Sequence, residues 1–244
     1  IKGELTAANV TELEAIATAT TGKVTATIVD TAANLNAIDL GASTDAITIK
    51  VANDYINGET LAADLKALDA NTSVVVDAKA VTLISGTAAD VTDVTAVLSA
   101  KGIAKAANVA VEVTAGNITA YEANQIAKLT TGSVTAVVDG SAATLNALLK
   151  DAKATDALTL TVSAGTATAA DLKALDAKTS VIVNASNVTD IKGTAADVKT
   201  VLKADEAATI NLKANVAVEV TGTVSAADVN TIAKATDGKV TATV

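Results

Sequence analysis

The sequence predicts an α/β fold: a repeat solenoid of about nine strand–helix units, with a parallel sheet and helices packed along one side. Three observations predict it. The chain repeats itself at a fixed long period, strand-type and helix-type segments alternate along it, and its apolar residues are almost all small.

The long period comes first. "LAADLKALDANTSVVVDAKA" at 61–80 returns as "TAADLKALDAKTSVIVNASN" at 168–187, an offset of 107 residues with fourteen of twenty positions identical. "ANVAVEVT" at 107–114 is repeated without change at 214–221, and "TGKVTATIVD" from Thr21 is echoed by "TGSVTAVVDG" from Thr131 and by the closing "DGKVTATV". A shorter period lies inside it. Helix-type runs open at Thr6, Thr31, Thr60, Thr87, Thr119, Ser141, Thr168, Thr194 and Ser225. From Thr119 to Ser225 the steps are 22, 27, 26 and 31 residues, so four short units make one super-repeat. Residues 1–244 therefore read as a single continuous solenoid, and as a piece of a longer chain: the first unit opens at its helix and the last closes on a strand.

Each helix opening has a mechanism. A Thr or Ser oxygen accepts from a backbone N–H two or three residues on. An acid three residues further, as in Thr87/Asp90, Thr168/Asp171, Thr194/Asp197 and Ser225/Asp228, lies near the positive end of the helix dipole. The Ala- and Leu-rich turns that follow favour helix.

The strands are marked by period two. Val24, Ala26 and Ile28 alternate with Thr25 and Thr27; Ile47, Ile49 and Val51 with Thr48 and Lys50; Leu158, Leu160 and Val162 with Thr159 and Thr161. Val109, Val111 and Val113, repeated as Val216, Val218 and Val220, alternate with Ala and Glu. One face of each strand is thus predicted buried and the other wet. Strands joined through a helix run parallel with right-handed crossovers, and each unit needs its neighbour to cover its apolar face.

Composition narrows the function. The chain has 244 residues, half of them hydrophobic, and a net charge of −9, yet it lacks Pro, Cys, Met, Trp, Phe, His and Arg. A core of Ala, Val, Leu and Ile suits thin stacked units, since large globular cores are normally filled by aromatics. The absence of Cys excludes disulfides and thiolate metal sites. An acidic surface without Arg argues against nucleic-acid partners, and no run of eighteen apolar residues offers a membrane span.

Candidate chemistry is sparse. Without His or Cys, Ser–His and Cys–His catalysis are excluded, which leaves only Ser–Lys pairs open, and no nucleophile elbow or phosphate-binding glycine motif occurs. The expectation is no enzyme, no cofactor and no catalytic, cofactor-binding or metal-binding residue. Asp30, Asp77, Asp139 and Asn184 recur at strand ends; calcium would need six or more oxygens around them, and the local reading is a turn-forming Asx side chain. Gly22, Gly132 and Gly238 read as left-handed turns after helices. The pairs Thr25/Thr27, Thr159/Thr161 and Thr241/Thr243 point outward in rows that resemble ice-binding arrays, interrupted by the "SVVVD", "SVIVN" and "VAVEV" strands. Glycosylation sequons stand at Asn9, Asn71, Asn117, Asn184 and Asn187, the last two placed for access after a strand. Tyr55 and Tyr121, the only aromatics, read as local packing residues.

These "GTAADL" and "VTATV" units resemble the Ala-, Thr-, Val- and Asp-rich repeats of very large secreted and cell-surface bacterial proteins, among them S-layer proteins, adhesins and haemolysin-like exoproteins. The resemblance covers nearly all of the chain. It implies an extracellular structural role, as a surface-layer, adhesin-stalk or filament segment, and carries over no catalytic residue. The expected partners are neighbouring repeats of the same chain or head-to-tail copies of it. The alternative is a binding module whose exposed Thr-rich sheet face meets a glycan, ice or another protein.

Overall fold

A computed structural model describes residues 3–38, 46–53, 59–72 and 74–244. The chain divides into two compact units. One comprises residues 1–115 with 129–133, the other 116–128 with 134–244.

In the first unit the strands β1 (Glu4–Leu5), β2 (Thr25–Asp30), β3 (Ala46–Val51), β5 (Val76–Ala78) and β7 (Ile103–Lys105) form one all-parallel sheet in the order β1-β2-β3-β5-β7. Strands β4 (Glu59–Leu61), β6 (Leu83–Gly86) and β8 (Ala110–Ile118) pair in parallel as a second row. The helices α1 (Val10–Ala19), α2 (Ala32–Asn36), α3 (Ala62–Ala70) and α4 (Val91–Ser99) fall between them in sequence, and α2, α3 and α4 pack in succession.

The second unit repeats this plan. Strands β9 (Val134–Gly140), β10 (Ala157–Val162), β12 (Val183–Ala185) and β14 (Ile210–Leu212) pair in parallel. So do β11 (Gly165–Thr168), β13 (Val188–Gly193), β15 (Ala217–Thr223) and β16 (Val240–Thr243). Helix α5 (Ala120–Leu129) precedes β9, and α6 (Ala142–Leu148), α7 (Ala169–Asp176), α8 (Ala195–Glu206) and α9 (Ala226–Lys234) pack in succession. The period is reproduced element by element: β5 and β12, and β7 and β14, lie 107 residues apart in the chain.

The core follows the predicted alternation. Leu158, Leu160 and Val162 of β10 are buried and Thr159 is exposed; Val109, Val111 and Val113 are buried around half-buried Ala110 and Glu112. Helices contribute Leu65 and Leu68, Leu172 and Leu175, and Val198 and Val201, spaced three apart so that each pair faces the sheets. The caps act as the sequence indicates: Thr168, Thr194 and Ser225 accept from the N–H of Asp171, Asp197 and Asp228 at 3.0, 3.2 and 3.1 Å and donate to the carboxylates of the same residues. Thr119 forms the same reciprocal pair with Glu122.

Four sequence expectations are revised. The single sheet with one strand per unit gives way to several parallel sheets, because most intervals between helices hold two strands, as β12 and β13 do between α7 and α8. The first helix is preceded by the short strand β1. Helix α3 opens at Leu61, not Thr60: Thr60 is buried in β4, and Leu61, the counterpart of Thr168, stands at the cap position without a side-chain bond. Gly22, Gly132 and Gly238 are not left-handed; among the described residues the positive-φ glycines are Gly3, Gly116, Gly165 and Gly222. At Gly132 and Gly238 the role is close approach of a strand backbone. A Cβ on Gly132 would lie 2.4 Å from the Val109 carbonyl oxygen, and one on Gly238 would lie 2.1 Å from that of Val216.

Candidate functional site

Three surfaces carry the polar side chains. The first runs along the packed helices. Lys66 of α3 pairs with Asp93 of α4, Lys173 of α7 reaches Asp197 of α8 at 3.0 Å, and Lys199 of α8 pairs with Asp228 of α9. Asn146 of α6 donates to Asp171 of α7 at 2.9 Å. Asp171, Asp197 and Asp228 thus each cap their own helix while holding a side chain of the helix before. Each pair is at least partly open to solvent and contributes little alone; as a repeated series the pairs fix the spacing of successive helices.

These contacts set the carboxyl acidities. The Lys173 ammonium and the Thr194 hydroxyl hold Asp197 below the ordinary carboxylate range, and Lys199 and Ser225 do the same for Asp228. Thr87 lowers Asp90. At Asp30, burial pushes the carboxyl up, but the donors Asn34, Thr31 and Ala7 together outweigh it and the net direction is down. Because the folded values are depressed, their stabilisation is complete above the unfolded value of about 4 and is lost as pH falls through the folded values. Urea midpoints measured from pH 7 to pH 2 are expected to hold down to about pH 4 and then fall. Asp197→Asn is expected to shallow that acid limb; an unchanged limb would refute the role of the ladder.

The second surface is the outer face of the sheets. Thr25, Thr159, Thr241 and Thr243 are exposed, and Thr27 and Thr161 half-buried. The rows are narrow: Thr27 faces Thr48, but Thr159 faces Val137, and Thr161 lies between Asp139 and Asn184. On β11-β13-β15-β16 a shallow recess of about 240 Å³ is lined by Thr166, Asp190, Lys192, Glu219, Lys239 and others. There Lys192 and Glu219 neutralise each other at 2.6 Å. A groove of about 520 Å³ between α8 and α9 has Leu202 and Ile232 in its lining. Its lysines Lys199, Lys203 and Lys234 are offset by Asp205 and Glu206, so it presents no single sign of charge.

The third feature is a recurring turn that the sequence reading missed. Thr130 accepts from Gly132 N at 3.0 Å and donates to the Val109 and Ala107 carbonyls. Thr236 accepts from Gly238 N at 3.0 Å and donates to Val216 and Ala214. Thr179 accepts from Val181 N and donates to Leu158 and Asp156. Each hydroxyl clips one repeat to the backbone of the repeat before it. The recurring "T-x-G" was visible; its partners, twenty or more residues upstream, were not.

The strand-end Asx residues make local bonds. Asp30 accepts from Ala7 N and Thr31 N, Asp77 from Lys79 N, Asn184 from Ser186, and Asp139 from Asn117. Among the described residues no three acidic side chains gather in a way that could hold a metal ion. Of the sequons, Asn9, Asn71, Asn117 and Asn187 are exposed, whereas Asn184 lies half-buried within β12 and is less accessible than its sequence position implied. Tyr121 is exposed on α5, with its hydroxyl accepting from Gln125, so it is not a packing residue; Tyr55 lies outside the described residues. Among the described residues no helix is long and apolar enough to cross a membrane. No family model matches the sequence, and neither a curated protein nor a solved structure matches it.

Proposed function

We propose that the chain is a structural repeat segment of an extracellular surface protein, a solenoid that works in a surface layer, adhesin stalk or filament through repeat stacking and head-to-tail association. It is not an enzyme and uses no cofactor. One observation carries the reading. The polar side chains that recur with the period are taken up by the neighbouring repeat: Lys173 by Asp197, Lys199 by Asp228, Thr130 by Val109 and Thr236 by Val216. Such a repetitive α/β module has its main recognition surface for another repeat of the same kind. The resemblance of the repeat units to those of secreted bacterial proteins supports the extracellular setting.

Negative-stain electron microscopy of the purified chain over a concentration series tests this. Fibres or lattices of uniform width, growing with concentration, are the expected result. Isolated particles at every concentration would overturn self-association and shift attention to the Thr-bearing outer sheet faces as a binding module.

A further inference from the structure

Residues 81–91, "VTLISGTAADV", return as 188–198, "VTDIKGTAADV", and residues 107–114 return unchanged as 214–221. Within these stretches, which supply β13 and most of β15, the copies differ at two positions only: Asp190 stands in place of Leu83, and Lys192 in place of Ser85. Both belong to the outer face of the sheet, where Asp190 lies beside Ala217 and Lys192 beside Glu219. A third change joins them. Where the first copy has Ser133, the head of β16 carries Lys239, which the pairing of Val218 with Val240 places beside Ala217. Three charges thus enter around one retained alanine, while the buried Ile191, Val216, Val218 and Val220 keep the identity of their counterparts. Repeat stacking accounts for the retained core, but it does not call for charge on the outer face.

The charges ring the shallow recess of about 240 Å³. Lys192 is taken up by Glu219 at 2.6 Å. The Asp190 carboxylate accepts from the adjacent Thr189 hydroxyl at 2.6 Å, and among the described residues neither Asp190 nor Lys239 has an ion-pair partner. Ala217, with a single methyl, leaves a gap between them. They stand two strands apart, about 10 Å at the backbone, and side chains rise roughly perpendicular to a sheet. A charge-assisted contact of about 2.8 Å at each end leaves about 4–5 Å for an occupant. The recess is smaller than the roughly 300–1,000 Å³ of a site for a drug-sized ligand, so it holds only a few heavy atoms. Charge narrows the occupant further. An anion drawn to Lys239 also meets Asp190 and Glu219, and a cation drawn to Asp190 also meets Lys192 and Lys239. A ligand with one charge of each sign satisfies both walls. The recess lies on the face of the sheet, so strand pairing at either edge leaves it open.

We infer that this recess binds a small zwitterion whose ammonium and carboxylate lie about 4–5 Å apart, the ammonium donating to Asp190 and the carboxylate accepting from Lys239. A short ω-amino acid such as 4-aminobutyrate has this form. The site does not depend on self-association of the chain.

The test is a chemical-shift titration of the isotope-labelled full chain with 4-aminobutyrate. Saturable shifts are expected at the amides of Asp190, Ala217 and Lys239, and none at the counterpart residues Leu83, Ala110 and Ser133. Asp190→Asn and Lys239→Gln are each expected to weaken binding about tenfold through loss of one charge-assisted bond. Both positions are exposed, and unchanged circular dichroism checks that each variant is folded. Butyrate and butylammonium, each with one of the two charges, and glucose, a neutral polyol, are the controls. Shifts with either singly charged control as strong as with 4-aminobutyrate would overturn the two-walled site, and tighter binding of glucose would overturn its selectivity for charge. No saturable shift with 4-aminobutyrate up to about 100 mM would overturn the site outright.

Discussion

Val111→Lys is expected to abolish the native packing of the strands around it, and Thr159→Lys to leave the fold intact. Val111 is 1% exposed in β8, paired in register with fully buried Ile84, and its neighbours on the same face, Val109 and Val113, are also buried. A lysine there carries its ammonium into a layer of aliphatic side chains with no acid facing it. The cost is on the order of 5 kcal/mol, comparable with the whole stability of an ordinary domain, about 5–15 kcal/mol. In a repeat array the damage should spread first to adjacent repeats and fade with distance, because each repeat is stabilised mainly by its neighbours. Thr159 is exposed on β10, and a lysine there should change stability by no more than about 0.5 kcal/mol. Hydrogen exchange resolves the two outcomes: β6 and β8 should lose protection in the first variant, and β9 and β10 should keep it in the second. Equal loss in both would refute the division into a buried and a wet face.

Asp156→Ala is expected to cost about 2–4 kcal/mol, since it removes the acceptor of the buried Val134 N–H, at roughly 1–3 kcal/mol, and a further hydrogen bond from the half-buried Lys153 N–H, at about 1 kcal/mol. Asp156 is fully buried at the entrance to β10. One carboxylate oxygen accepts from Val134 N at 3.0 Å, the other from Lys153 N at 2.8 Å. Its own carbonyl accepts from Ser180 N at 2.7 Å and from the Ser180 hydroxyl at 2.8 Å. One residue therefore ties the start of β9, its own turn and the turn after α7. Asp156→Asn keeps one acceptor oxygen but turns an amide donor toward another donor, so it should fall between the wild type and alanine. Urea midpoints in the order wild type, Asn, Ala would bear this out; an alanine variant as stable as the wild type would refute it.

How much of this was legible in the sequence depended on distance along the chain. The caps at Thr168, Thr194 and Ser225 were readable because donor and acceptor lie three residues apart. The alternation of Leu158, Leu160 and Val162 was readable because period two spans a whole strand. The short partner strand of most two-strand intervals was not: β11 and β6 have four residues each and β7 and β14 three, too few for a periodic pattern, and parallel pairing with strands of neighbouring repeats defines them. Leu61 broke the Thr rule, which moved the predicted start of α3 one residue early, to a Thr that is buried. Asp156 looked like any loop acid, because Val134, which it serves, lies 22 residues away. The glycines of the clips were noticed for the wrong reason: glycine is common both at left-handed turns and at close backbone contacts, and only coordinates separate the two.

The clip also bears on how such a chain can change length. The groups that Thr130–Ser133 grips in residues 107–111 recur in residues 214–218, where Thr236–Lys239 grips them in the same register. A gene recombining out of phase by one 107-residue period would lose or gain four units at a stroke. At the new junction every hydroxyl would still find the carbonyl it expects. Lengthening or shortening would then require no invention of an interface, and size polymorphism between alleles would leave each remaining joint unchanged.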